Sequence, residues 1–186
     1  MSVKAKQPFK RVAILGLGLI GGSIAAAMKA RDLAVVIVAF DLAPAELAQG
    51  LALGLIDEAA ESAKAAVQGA DLVILAVPVL AIEPLLVQIS RAVSESAVIT
   101  DVGSVKSPII DAARRQVPSL LARIVPGHPI AGSEQHGVQA ANADLFLRHK
   151  VILTPLPETQ GSSLAKLTAF WQAVDADVVE MSPAHH

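Results

Sequence analysis

Three short stretches hold most of the residues able to do chemistry. The first is GLGLIGGS at 16–23, in which Gly16, Gly18 and Gly21 fall in the order GxGxxG. The first glycine allows a tight turn, the second lets backbone approach a pyrophosphate, and the third lets a helix pack closely on a strand. The opening of that helix, with Leu19 and Ile20, would point N–H donors at the phosphates. Asp41, twenty residues past Gly21 and at the end of the next apolar run, has the type and spacing to accept both hydroxyls of an adenosine ribose. The competing reading is a plain strand-to-helix turn with Asp41 capping the following helix. Because a carboxylate repels a 2′-phosphate, and no Arg or Lys occurs between Asp41 and Lys64, NAD is expected in preference to NADP.

The second stretch, TDVGSVKS at 100–107, offers a hydroxyl and an ammonium group. Ser104 is expected to cap a helix running to Gln116, and from there its hydroxyl can also donate to a substrate oxygen. Lys106 in a helix's first turn opposes the macrodipole, a cost that a nearby anion would offset; the alternative is an ordinary solvated lysine. The third stretch is PGHPIAGSEQHG at 126–137, where Gly127 and Pro129 hold His128 in irregular backbone just after Ile124 and Val125. An imidazole titrates in the range needed to accept a proton from an alcohol that is losing hydride, so His128 is the candidate general base. The alternative for any one loop histidine is a structural or solvated role, and His136 and His149 are assigned to it. Val77 and Pro78, where another apolar run stops, are candidates for backbone contact with the cofactor; a strand that simply ends at proline is the other reading.

The elements that must position these groups follow from the hydropathy pattern. Apolar runs at 11–16, 34–41, 71–78, 96–103, 123–129, 150–155 and 177–182 alternate with Ala- and Leu-rich segments. The runs are nearly unbroken in apolar character, as strands must be when helices cover both faces of a parallel sheet. The expected fold is therefore α/β, a doubly wound and mostly parallel sheet of the Rossmann dinucleotide-binding type. That pattern also accounts for a mean hydropathy of +0.55 without a membrane segment. Lys4, Lys6, Lys10 and Arg11 ahead of the uncharged run 12–28 imitate a signal peptide, but that run contains four glycines and a serine and is shorter than the ~20 residues that span a bilayer.

The remaining composition narrows the partners. A chain of 186 residues with 53% hydrophobic content suits one domain. Fifteen basic against seventeen acidic residues leave a net charge of −2, which offers no footprint for nucleic acid or an anionic membrane. The expected partner is a small molecule. Cysteine is absent, so neither a disulfide framework nor a thiolate metal site is available, no metal is expected, and a cytoplasmic location is the expectation. Residues 1–10 are expected to form a flexible tail and 11–181 the nucleotide-binding domain.

Taken together these motifs resemble those of the prephenate and arogenate dehydrogenases of tyrosine biosynthesis. The resemblance runs from about Val12 to Pro183. It rests less on the glycine motif, which many families share, than on DVGSVK at 101–106, GHPIAGSE at 127–134, and ADLF at 143–146 followed by VILTP at 151–155. It implies oxidative decarboxylation of a cyclohexadienyl ring, in which hydride passes to NAD, carbon dioxide leaves and the ring becomes aromatic. On the same basis His128 acts as base on the ring hydroxyl, Ser104 hydrogen-bonds the same region, and Glu134 stands near the pocket mouth. Lys106, from its place at the helix start, is a further candidate substrate contact. Family members continue beyond this length as a helical domain that forms a homodimer and contributes an arginine to the substrate site. Residues 182–186 are accordingly expected to be a stub of that domain or of a tag. The alternatives are a related β-hydroxyacid dehydrogenase or imine reductase, and an NAD-binding module without turnover.

Overall fold

A computed structural model describes residues 8–186 of the chain. Its first strand, β1 (Phe9–Leu15), starts two residues ahead of the expected Arg11. Two contacts draw those residues in: Phe9 is buried edge-on against Phe170, with ring centroids 6.0 Å apart, and the backbone N–H groups of Lys10 and Arg11 both donate to Asp71 Oδ2 at 2.6 and 3.2 Å. The expected tail over 1–10 thus cedes Phe9 and Lys10 to the sheet, and residues 1–7 lie outside the described residues.

Five strands form one parallel sheet in the order β3-β2-β1-β4-β5, with β2 at Ala34–Phe40, β3 at Glu58–Ala59, β4 at Leu72–Leu75 and β5 at Val98–Asp101. The connecting helices are α1 (Leu19–Ala30), α2 (Pro44–Ala52), α3 (Ala63–Val67) and α4 (Val79–Ile89), with α5 (Ser107–Gln116) after β5. The unbroken apolar runs now have a physical reason. Along β1, Val12 and Ile14 enter one core while Ala13 and Leu15 enter another, so the period-2 alternation of a strand feeds two buried layers at once. Among the described residues no helix is long and apolar enough to cross a membrane.

The last three apolar runs do not simply extend this sheet. They form a second one, in the order β6-β7-β8, from Gly127–Pro129, Lys150–Leu153 and Asp177–Glu180. β6 pairs antiparallel with β7, and α6 (Gly161–Ala173) returns the chain so that β8 lies parallel to β7. The sheets meet where Ile124 bridges Ile99 in parallel and the Val125 N–H donates to the Ile99 carbonyl at 2.9 Å. The ladder then stops because Pro126 has no N–H and the Gly127 N–H turns to the Asp101 side chain at 3.4 Å instead of to β5 backbone. The Pro126 carbonyl meanwhile accepts from Thr154 N at 3.0 Å, which carries the strand into the second sheet.

Candidate functional site

All five strands of the main sheet point the same way, so the turns after β1, β4 and β5 share its carboxyl edge. The turn after β1 admits only glycine at two points. Gly16 has φ +97°, and a Cβ there would lie 2.3 Å from the Ala76 carbonyl oxygen; a Cβ on Gly21 would lie 2.1 Å from the Gly16 oxygen. Gly18 differs, since a Cβ on it would meet nothing within 4 Å. It is the N-cap of α1, whose first turn carries neither an acidic residue nor a side-chain cap. Protein packing explains Gly16 and Gly21, whereas Gly18 keeps space clear above bare helix N–H groups, including those of Leu19 and Ile20, where an anion fits.

Asp41 lies beside that turn. Its Oδ2 accepts from Leu17 N at 2.7 Å and its Oδ1 from Ala43 N at 2.8 Å. It does not cap α2, whose N-cap is Ala43 with no side-chain cap. Each oxygen keeps a lone pair for a further donor. Gly16, Gly18 and Asp41 share a groove of ≈480 Å³ with Val77 and Pro78, and Leu42 and Leu85 give it apolar walls. A dinucleotide fits these residues: open space over the helix start for phosphates, a carboxylate for ribose hydroxyls, and apolar walls for a flat base.

The second half of the site follows β5 and β6. The Gly127 N–H reaching Asp101 Oδ1 puts the residue before His128 against the end of β5. His128 is half-buried in β6, and its Nδ1 lies 2.9 Å from Nε2 of His186, with ring centroids 5.0 Å apart. Burial, then His186 and Lys106, hold its pKa below the ordinary 6.5, so at neutral pH the ring is an unprotonated base. His186 was not among the sequence candidates.

Two expectations are corrected here. Ser104 is exposed and caps no helix: α5 begins at Ser107, with proline in its first turn and Lys106 as its N-cap residue. Proline at that position pre-sets helical φ, which moves the start past Ser104 and leaves its hydroxyl facing solvent at the strand's end. Lys106, expected among the substrate contacts, is buried, and its Nζ donates to Asp101 Oδ2 and to the Gly127 carbonyl oxygen. The anion that offsets a lysine at a helix start is internal.

Glu134 is exposed on the loop that follows β6. That loop is tied down at its far end, where Val138 N donates to Glu46 Oε2 at 2.6 Å and Asn142 N donates to Ser23 Oγ at 3.0 Å. A Cβ on Gly22 would come within 3.0 Å of Val138 Cγ2 and 3.1 Å of Ala141 Cβ, so the side chains of the loop pack directly onto the bare backbone of α1 at this glycine. Of the other histidines, His136 is exposed on this loop, and Nδ1 of the exposed His149 lies 3.2 Å from the Ile130 carbonyl oxygen. Sequence reasoning passed over Gly22, Ser23, Glu46 and Asp101. Asp101 alone had a legible sign, standing five residues before a lysine that needed an anion.

Comparison with known proteins matches residues 24–180 to the family described as prephenate dehydrogenase, nucleotide-binding domain. The chain is 38% identical over 178 residues to a cyclohexadienyl dehydrogenase of Zymomonas mobilis, covering 96% of this chain and 60% of the relative. It is also 38% identical to a prephenate dehydrogenase of Bacillus subtilis, covering 94% of this chain and 47% of the relative. Among solved structures, prephenate dehydrogenase from Aquifex aeolicus in complex with hydroxyphenyl propionate and NAD+ superposes with a TM-score of 0.87 at 33% identity, over 95% of this chain and 61% of that one. The chain thus spans about half to three-fifths of these relatives' length. With a family match over most of its residues and a fold shared along nearly all of them, the chain belongs to the prephenate dehydrogenase nucleotide-binding domain family.

Proposed function

We propose that this chain is the NAD-binding part of a dehydrogenase that oxidatively decarboxylates prephenate, arogenate or both. What supports this reading is a glycine-lined groove with Asp41 at the carboxyl edge of the parallel sheet, together with a half-buried His128 whose neighbour Gly127 is tied to Asp101 at the end of β5 of that sheet. NAD, when bound, supplies the hydride acceptor. Gly18 and the first N–H groups of α1 hold its phosphates, and Asp41 its adenosine ribose. His128 takes the proton of the substrate's ring hydroxyl at Nε2, because Nδ1 already faces His186. Ser104 donates to the same oxygen from the end of β5, and Glu134 contributes from the loop at the pocket mouth. Lys106, buried and paired with Asp101, has no free access to a substrate. The deciding assay is NADH formation by the protein that carries this domain, with prephenate and arogenate offered separately; failure with both overturns the proposal.

The cofactor assignment has its own test. Leu42 is 91% exposed on the groove wall beside Asp41. Asp41→Ser combined with Leu42→Arg removes a charge that repels a 2′-phosphate and adds one that attracts it, so the NADP to NAD affinity ratio is expected to rise at least about tenfold. An unchanged ratio would place the ribose elsewhere.

For the 186-residue chain alone, calorimetry is expected to give one NAD per chain, since every element of the groove is present. Prephenate or arogenate is expected to yield little or no NADH. Prephenate has two carboxylates, each needing a fixed cation in a closed site, and Lys106 is already paired with Asp101. Robust NADH formation would show that residues of this chain hold both carboxylates.

A further inference from the structure

Behind His128 lies a buried ion pair for which substrate binding has no use. Asp101 ends β5 and Lys106 is the N-cap residue of α5, and their side chains are 3% and 1% exposed. Lys106 Nζ donates to Asp101 Oδ2 and, at 2.6 Å, to the carbonyl oxygen of Gly127. The Asp101 carboxylate in turn accepts the Gly103 N–H at 2.8 Å and the Gly127 N–H at 3.4 Å. Gly127 is the residue before His128, and both of its backbone groups end on this one pair. It also has no slack, because a Cβ on it would lie 3.0 Å from the Asp101 carbonyl oxygen and 3.2 Å from Thr100 Oγ1.

Stability does not explain such a pair. Burial pushes Asp101 up and Lys106 down, each towards its neutral form, and only their mutual attraction and the hydrogen bonds oppose that. Well-packed apolar residues of similar volume commonly serve a core as well or better. Apolar residues cannot, however, grip a carbonyl and an amide at once, nor set a positive charge against a neighbouring imidazole. Among the described residues, His186 and Lys106 are the titratable groups whose charge bears on the His128 ring.

We propose that Asp101 and Lys106 are positioning residues for His128: they clamp Gly127 by its carbonyl and its amide, fix where the imidazole leaves β6, and set the Lys106 ammonium against the ring. The purpose of that positioning rests on the dehydrogenase reading above; the clamp itself does not. It joins the end of β5 to the start of β6 at the point where the ladder between the sheets fails, so the base is held by side chains where backbone pairing has run out.

The test is an NMR titration of the 186-residue chain with 13C-labelled histidine, the His128 signal being assigned by its loss in His128→Asn. Asp101→Asn with Lys106→Met removes both charges at nearly constant volume and leaves one carbonyl oxygen, enough to keep the Gly103 N–H satisfied while the Gly127 N–H and carbonyl lose their partners. Lys106→Arg, which keeps the charge, is the second variant should the first fail to fold. In the double variant the His128 midpoint is expected to rise towards 6.5 and its resonance to broaden or split, while thermal unfolding stays cooperative. Lys106→Arg is expected to hold the midpoint low. An unchanged midpoint with one sharp signal in the folded double variant, or a midpoint in Lys106→Arg risen to 6.5, would overturn the clamp. NAD calorimetry on the unaltered chain separates the two claims: failure to bind NAD counts against the dehydrogenase reading, and the His128 titration still decides the clamp.

Discussion

His128→Asn is expected to lower turnover by about 10² to 10⁴, the range for loss of a general base, in the protein that carries this domain. NAD affinity should barely change, because the groove is built from the turns after β1, β2 and β4 and contains no part of β6. The backbone pairing of His128 with Ile152 does not depend on the side chain, so the fold should persist. The pH dependence carries a further sign. A base works only when unprotonated, and burial with the neighbouring Lys106 and His186 favours the unprotonated ring. Log kcat/KM should therefore be flat through neutrality and fall only below 6.5, with that acid limb lost in His128→Asn. Near-normal turnover in the variant would remove His128 from the reaction.

Gly21→Ala and Gly18→Ala are expected to fail in opposite ways, although both replace a glycine of one motif by alanine. The new methyl on residue 21 would sit 2.1 Å from the Gly16 carbonyl oxygen, with Ile14 only 3.1 Å away. Backbone must move, and a cost of about 3 kcal/mol or more is expected, lowering the thermal midpoint by roughly 6–12 °C for a domain of this size. The methyl on residue 18 meets no protein atom within 4 Å. That variant should melt like the unaltered chain yet lose at least about tenfold in NAD affinity, because the methyl enters the space kept for phosphate. Equal NAD affinity in Gly18→Ala would show that the space over α1 is not where the pyrophosphate lies.

The sequence disclosed the parts whose signal is local. Unbroken Val, Ile and Leu in β1, β2, β4 and β5 announced strands covered on both faces, and the glycine spacing with Asp41 announced the groove. β3 escaped because Glu58 and Ala59 are both exposed and make a strand of only two residues, so no hydrophobic pattern marks it. The run at 123–129 was read as one strand, but Arg123 still ends a 3-10 helix, and the irregular backbone expected at His128 is the short strand β6; nothing local says that Ile124 and β6 serve different sheets, which is decided by Pro126, which lacks a donor, and by the side chain of Asp101. Ser104 misled for a related reason. A serine after a strand is a good cap by type, but Lys106 folding inward and proline in the first turn of α5 moved the helix start beyond it. His186 near His128 is a contact across 58 residues, and no spacing rule reports such a pair.

The close packing of the loop after β6 onto α1 at Gly22 bears on how this domain can be re-engineered. The loop that carries Glu134 is not a detachable graft: Gly22 leaves it room, Ser23 receives Asn142, and Glu46 receives Val138. A designer moving residues 130–142 into another dinucleotide-binding scaffold must move these three positions on α1 and α2 with it. Conversely, a library that varies α1 to tune cofactor grip will scramble loop placement at Gly22 and Ser23 before it reaches the phosphates. Cofactor handling and loop geometry share one helix, and directed evolution of either should be run with the other held under selection.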